Sequence, residues 1–266
     1  MRLVKFILKS LLFLTLTILT QIGGLVYLLS LLISFRIKKD FKGKIAVLFM
    51  VLYALCTFII VPILAPLFGR EKVVETDMIS PTNYMTILLN RNYVKPELND
   101  LLIRTAEQLA SINEDVKISY LDANFPFIDG FPLLPHLSHN DGKKIDISLI
   151  YETDGGDISQ LQKSRTGYGV FVEPRPTEFN QNVVCKKAGY IQYDFPKYLT
   201  LGSINYEIKF SNKGTKSLML KILQQPNLGK VFIESHLKTR MNLVDSKIRF
   251  HGCGAVRHDD HIHIQL

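Results

Sequence analysis

Two uninterrupted apolar runs near the N-terminus restrict this chain more than any other feature. Ser10 to Phe35 is 26 residues without a charged side chain, and Ile45 to Phe68 is another 24. Each exceeds the roughly 20 residues needed to cross a bilayer core. A cleaved signal peptide has an apolar stretch of only about 7–15 residues and would not be followed by a second span. Gly23, Gly24, Pro62 and Pro66 are tolerable inside spans, where neighbouring helices satisfy freed backbone groups. The sequence therefore predicts a two-helix transmembrane hairpin within a membrane anchor at residues 1–69.

The connector between the runs holds Arg36, Lys38, Lys39, Lys42 and Lys44 against Asp40. A short basic loop stays in the cytoplasm. Everything from Arg70 onward is then expected outside it, as a periplasmic or otherwise extracytoplasmic domain held at the cell (inner) membrane. Arg2, Lys5 and Lys9 would also fall outside, which opposes this orientation, but the connector has the larger excess. The formal charge of +8 is concentrated here: residues 1–44 carry eight basic side chains against one acid, residues 45–69 none, and residues 70–266 have 24 basic and 23 acidic. A nearly neutral main domain removes the chief argument for nucleic acid as a partner.

Residues 70–95 read as a polar stalk with a turn at 80–83, leading to a domain at 96–266. Pro96 suits the first position of a helix, and Leu98, Leu101, Leu102, Ala106 and Leu109 recur at helical spacing. Strands are predicted at 116–121, 145–150, 231–233 and 261–266, and helices at 215–223 and 235–244. Residues 124–135 read as a loop, and 151–185 as a long irregular excursion of the sort that is usually functional or disordered. Strands and helices interleave irregularly rather than as βαβ units, so the expected class is α+β, a mostly antiparallel sheet with flanking helices. Cys56 is apolar filling in the second run. Cys185 and Cys253 would meet an oxidising compartment, where they could be bridged; Cys253 also lies near His251 and His258, so a ligand role stays open.

Five of the seven histidines fall in two short segments: His136 and His139, followed by Asp146, and then His258, His261 and His263 with Asp260 among them. On a strand, His261 and His263 share one face while Ile262, Ile264 and Leu266 share the other. Asp146 likewise projects opposite Ile145 and Ile147. The isoleucine faces belong in a core, and the histidine face opens on a cleft. A catalytic zinc takes three imidazole or carboxylate ligands from the protein and keeps a position for water. His139, Asp146 and one histidine of the terminal pair supply that number. His236 and His251 stand apart and read as ordinary polar residues.

His136-x-Ser138-His139-x-x-Gly142-x-x-x-Asp146 and His258-x-x-His261-x-His263 resemble the penicillin-insensitive murein endopeptidases, within the zinc peptidase group that includes lysostaphin-type endopeptidases, D-Ala-D-Ala peptidases and the Hedgehog domain. The likeness covers roughly residues 120–266. It implies zinc held by His139, Asp146 and His263, with His261 as catalytic base or oxyanion partner, His258 in support and His136 lining the substrate site. Asp260 takes the place of a carboxylate that the D-Ala-D-Ala branch uses as base. On a strand, however, it should face away from His261 and His263. The departures are a two-span anchor in place of a cleaved signal and the scarcity of cysteines. The implied activity is hydrolysis of D-amino-acid cross-links in peptidoglycan peptides. Alternatives are a D-Ala-D-Ala carboxypeptidase or dipeptidase, and a non-catalytic zinc-containing cell-wall-binding module.

Overall fold

The computed structural model describes residues 2–38 and 41–266; Lys39 and Asp40 of the basic connector lie outside the described residues. The N-terminal part folds as α1 (Arg2–Thr20), α2 (Gly23–Arg36) and α3 (Lys44–Leu55), the last continuing through a π turn and a 3-10 turn to Phe68. Two of these helices are long and apolar enough to cross a membrane: the 19 residues of α1 and the 25 of Lys44–Phe68. At 1.5 Å per residue they reach about 28 and 38 Å. Their apolar side chains are mostly exposed, so they are not core helices of the adjoining domain.

The run expected to cross as one helix is instead bent in the middle. Gln21 adopts a left-handed φ of 66°, and Gly23 N–H donates to Thr20 Oγ1 at 2.8 Å. A Cβ on Gly24 would stand 2.7 Å from the carbonyl oxygen of Phe13, so only glycine lets α2 pack back along α1. The 14 residues of α2 reach about 21 Å, short of a bilayer core of about 30 Å. This hairpin changes the expected placement of the N-terminus. Its bend meets the main domain, where Gln21 Oε1 accepts from Phe127 N–H at 3.0 Å. Phe68 packs on Phe127 at the same end. Arg2, Lys5 and Lys9 therefore lie at the far end of the bundle with the basic connector, not beside the domain. The charge conflict in the sequence disappears with the bend.

The main domain is built on a six-stranded sheet of β1 (Ile79–Pro81), β2 (Ile118–Tyr120), β3 (Lys144–Ser148), β4 (Lys230–Phe232), β5 (Ile248–Arg249) and β6 (His261–Gln265), in the order β5-β4-β6-β3-β2-β1. The three inner pairings are antiparallel and both outer ones are parallel. The sheet is thus mixed, and it contains two strand-helix-strand units that the sequence reading had excluded. α4 (Pro96–Ala110) connects β1 to β2, while α6 (Ser235–Arg240) connects β4 to β5. Residues 70–95, expected as a stalk, contribute edge strand β1 and a further short pairing of Glu71–Lys72 with Tyr93–Val94. Pro81 ends β1, where the missing N–H costs no central ladder bond.

One face of the sheet is the core. Ile145, Ile147, Ile262 and Ile264 are fully buried there with Leu98, Leu101, Leu102 and Leu109 of α4 and Leu218, Met219 and Ile222 of α5 (Asn212–Leu223). Each such side chain contributes about 1.5–3 kcal/mol. Ser211 caps α5 by accepting from Gly214 N–H at 3.2 Å, so the segment 211–214 is the cap and first turn of a helix. A helix at Gln181–Lys187 had not been anticipated, and its Cys185 is bonded to Cys253. That bridge removes Cys253 from the candidate ligands.

Candidate metal centre

The opposite face carries the polar cluster. In the β3–β6 register, His263 stands across from Asp146 and His261 across from Ser148. His139 comes from the loop before β3. That loop is held by Asn124, which accepts from Gly142 N–H and donates to the Lys144 carbonyl, and by buried Arg70, which donates to the carbonyl of Phe125 and pairs with Asp129. Gly142, at φ 78°, makes the turn that a side chain would resist.

Three atoms able to bind a metal converge. His139 Nε2 lies 3.1 Å from His263 Nδ1 and 3.2 Å from Asp146 Oδ1, and His263 Nδ1 lies 2.9 Å from the same oxygen. The edge of a tetrahedron with bonds of about 2.0–2.1 Å is about 3.3 Å, close to these separations. His139 Nδ1–H donates to the Ala123 carbonyl at 2.8 Å, leaving Nε2 as the free lone pair. His136 approaches from the other side, with Nδ1 2.8 Å from Asp146 Oδ2. The group His136, His139 and Asp146 can hold a metal ion, and the triangle completed by His263 shares two of its members.

His261 lies alongside with Nε2 3.7 Å from Asp146 Oδ1, buried and without a hydrogen-bond partner. Its Nδ1 is 2.5 Å from Asp260 Oδ1, and Asp260 Oδ2 accepts from Gly169 N–H at 2.6 Å. Asp260 therefore does not face away from His261, as strand alternation suggested. It precedes the strand and turns back behind the ring. The His258 ring sits 4.7 Å from that of His261, and its Nδ1 is buried without a partner.

The charges respond to one another. Burial disfavours ionisation of Asp146, but His139, His261 and His136 outweigh it and hold the carboxyl well below its ordinary range. Burial opposes a charge on His261, yet Asp146 and Asp260 push it up to about 9. His139 is raised in the same contest between burial and Asp146. Burial dominates at His263, which falls to about 4, and at His258, which falls well below its usual value.

Sequence reasoning missed Tyr168. Its hydroxyl donates to Asp146 Oδ2 at 2.9 Å and accepts from Asp122 N–H at 3.1 Å, and its ring lies 4.5 Å from that of His136. Burial first, then Asp146 and Asp122, keep the phenol protonated as a donor. The available signal was its setting in the irregular excursion between Gly167 and Gly169, both at positive φ. His251 was also underestimated: its ring lies tilted 4.2 Å from that of His258 and it contacts Glu234 at 3.3 Å. His236 stays apart from the cluster, bonded to the Val172 carbonyl.

No known family model matches this chain, and no curated protein sequence matches it.

Proposed function

We propose that this protein is a membrane-anchored zinc peptidase that hydrolyses peptide bonds of peptidoglycan, with D-amino-acid cross-links as the favoured substrate. The observation that carries the reading is the buried triangle of His139 Nε2, Asp146 Oδ1 and His263 Nδ1, with the unpartnered Nε2 of His261 beside it. Imidazole and carboxylate together suit zinc, and three protein ligands leave a position open. His136 faces the second oxygen of Asp146 and a neighbouring cleft, which fits a lining role better than a ligand role.

Bound zinc would supply a polarised carbonyl and a water acidified toward a pKa of about 7. The chain's own residues do the rest. Asp260 holds the proton on Nδ1 of His261; a bound cation would offset the pull of Asp146 and Asp260 that charges the ring, leaving Nε2 free to accept a proton from the attacking water and return it to the leaving amine. Tyr168 and His136 fix the second oxygen of Asp146 and keep the carboxylate from rotating. The basic ends of the bundle, all remote from the domain, support a cytoplasmic connector and an extracytoplasmic domain. The Cys185–Cys253 bridge suits the oxidising compartment this implies.

The test is mass spectrometry of cross-linked muropeptides incubated with the purified full chain, with and without chelator. Chelator-sensitive loss of cross-links is the expected result. Release of terminal D-Ala alone would make it a carboxypeptidase. A fully zinc-loaded protein that cuts nothing would overturn the enzymatic reading in favour of a cell-wall-binding module.

A further inference from the structure

A cleft of about 420 Å³ leads from the metal cluster to the membrane end of the molecule. His136 and Tyr168 form its inner wall. Its outer wall includes Leu19, one residue from the end of α1, together with Met85, Leu89, Tyr198 and Leu201. Tyr198 and Leu201 are 72% and 75% exposed, a costly presentation to water but a natural one at a bilayer surface, where tyrosine and apolar side chains anchor. Two arginines lie within this apolar lining. Arg91 is only 7% exposed, and although its guanidinium reaches Asp122 at 3.3 Å, its Nε has no partner. Arg165 is exposed and forms no ion pair among the described residues.

We propose that this cleft admits its substrate from the bilayer: a peptide tethered to a lipid, with the tail against Leu19, Met85 and Leu201 and an anionic group between tail and peptide held by Arg91 and Arg165. Guanidinium forks suit phosphate or carboxylate oxygens at such a position. The peptide then extends past Tyr168 to the metal cluster. The inference rests on the peptidase reading for the reacting bond and on the apolar helices lying in a membrane. It adds that the site works on membrane-held molecules rather than on freely diffusing ones.

The chain contains no tryptophan, so a single introduced indole reports its own surroundings. Full-length Leu201→Trp and Val244→Trp variants would be placed in nanodiscs of phosphatidylcholine and phosphatidylglycerol in equal parts, with or without brominated acyl chains. Val244 is 94% exposed and precedes β5, the sheet edge opposite β1. The expected result is bromine quenching of the indole at position 201 and none at 244. Equal emission at 201 in both discs would overturn the proposal whatever the enzyme does. A D-alanyl peptide would then be supplied free or coupled to phosphatidylethanolamine. Tethering should raise kcat/KM roughly 10–100-fold through local concentration and docking. Arg165→Gln should raise KM for the tethered form. Equal cleavage of both forms would overturn the lipid-tethered substrate, whereas cleavage of neither, with quenching intact, would count against the peptidase reading alone.

Discussion

His263 stands directly opposite Asp146 in adjacent antiparallel strands, with Nδ1 2.9 Å from Oδ1. The pairing is enforced from the far side of the sheet, where Ile262 opposes Ile147 and Ile264 opposes Ile145, all fully buried. Slipping the register by one residue would carry the imidazole and the carboxylate into the core and the isoleucines into the cleft. Core packing and ligand geometry are thus one constraint.

Either of two histidines could complete a metal site with His139 and Asp146, and the two can be separated. His263→Ala should lose bound metal, because it removes one corner of the triangle around Oδ1. His136→Ala should retain metal and lower turnover, since His136 faces Oδ2 and the cleft. Metal content of the purified variants by elemental analysis decides between them; loss of metal from His136→Ala would make His136 the ligand.

Tyr168→Phe removes one hydrogen bond to Asp146 while keeping the ring beside His136. Partners of this kind typically contribute 10–100-fold to metal affinity or activity, so a loss of about that size is expected in competition with a zinc chelator. An unchanged affinity would reduce Tyr168 to a lining residue.

His261→Ala should leave metal bound and reduce turnover by about 10²–10⁴, the usual worth of a positioned acid-base group. Asp260→Asn should do nearly the same, because the amide no longer fixes the proton on Nδ1. The two variants combined should cost little more than either alone. Full activity in His261→Ala would require another base.

Much of this arrangement was legible in the sequence because it depends on short-range alternation. The isoleucine–histidine pattern of β6 and the placement of Asp146 follow from period-two geometry alone, and the apolar face of α4 from period 3.6. The bend at Gln21 was not legible, since Gly23 and Gly24 read equally well as tolerated positions within one span; only the close approach of Gly23 to Leu16 and of Gly24 to Phe13 gives them a turn-forming role. Strand β1 was hidden by its three-residue length and its proline. Asp260 was misplaced because alternation was extended one residue ahead of the first residue of the strand. Tyr168 reaches the site from 22 residues beyond Asp146 through an irregular segment, where no periodicity reports direction.

The pH dependence has a definite sign. In the metal-free protein, burial opposes a charge on His139 but Asp146 raises its pKa, so a proton competes with the ion. Metal affinity should therefore increase with pH through the neutral range, with protons released on binding. Stability of the metal-free form behaves differently. The depressed Asp146 contributes stability present above its unfolded value of about 3.9 and lost as pH falls through the native one. The raised His261 contributes stability present below about 6.5 and lost as pH rises toward about 9. Melting temperature of chelator-treated protein should decline on both flanks, and saturating zinc should flatten the alkaline one. An alkaline flank unmoved by zinc would separate His261 from the metal centre.

The helical bend makes a prediction about topology that a simple two-span hairpin does not. Because α1 folds back on α2, the N-terminus and the connector lie at one end of the helical bundle and the domain at the other, so a membrane around the bundle should have the first two on one side and the domain on the opposite one. Leu3→Cys, Phe41→Cys and Val244→Cys would be made separately in a Cys56→Ala background, where the remaining native cysteines are tied in their bridge. A membrane-impermeant maleimide applied to intact cells should label only the cysteine at 244, and permeabilisation should expose those at 3 and 41 together. With seven basic side chains among the described residues at that end against none at the domain bend, reversing the orientation would require translocating all of them. Labelling at position 3 from outside, with 41 protected, would mean that α1 and α2 cross as one straight span and that the bend is absent in the membrane.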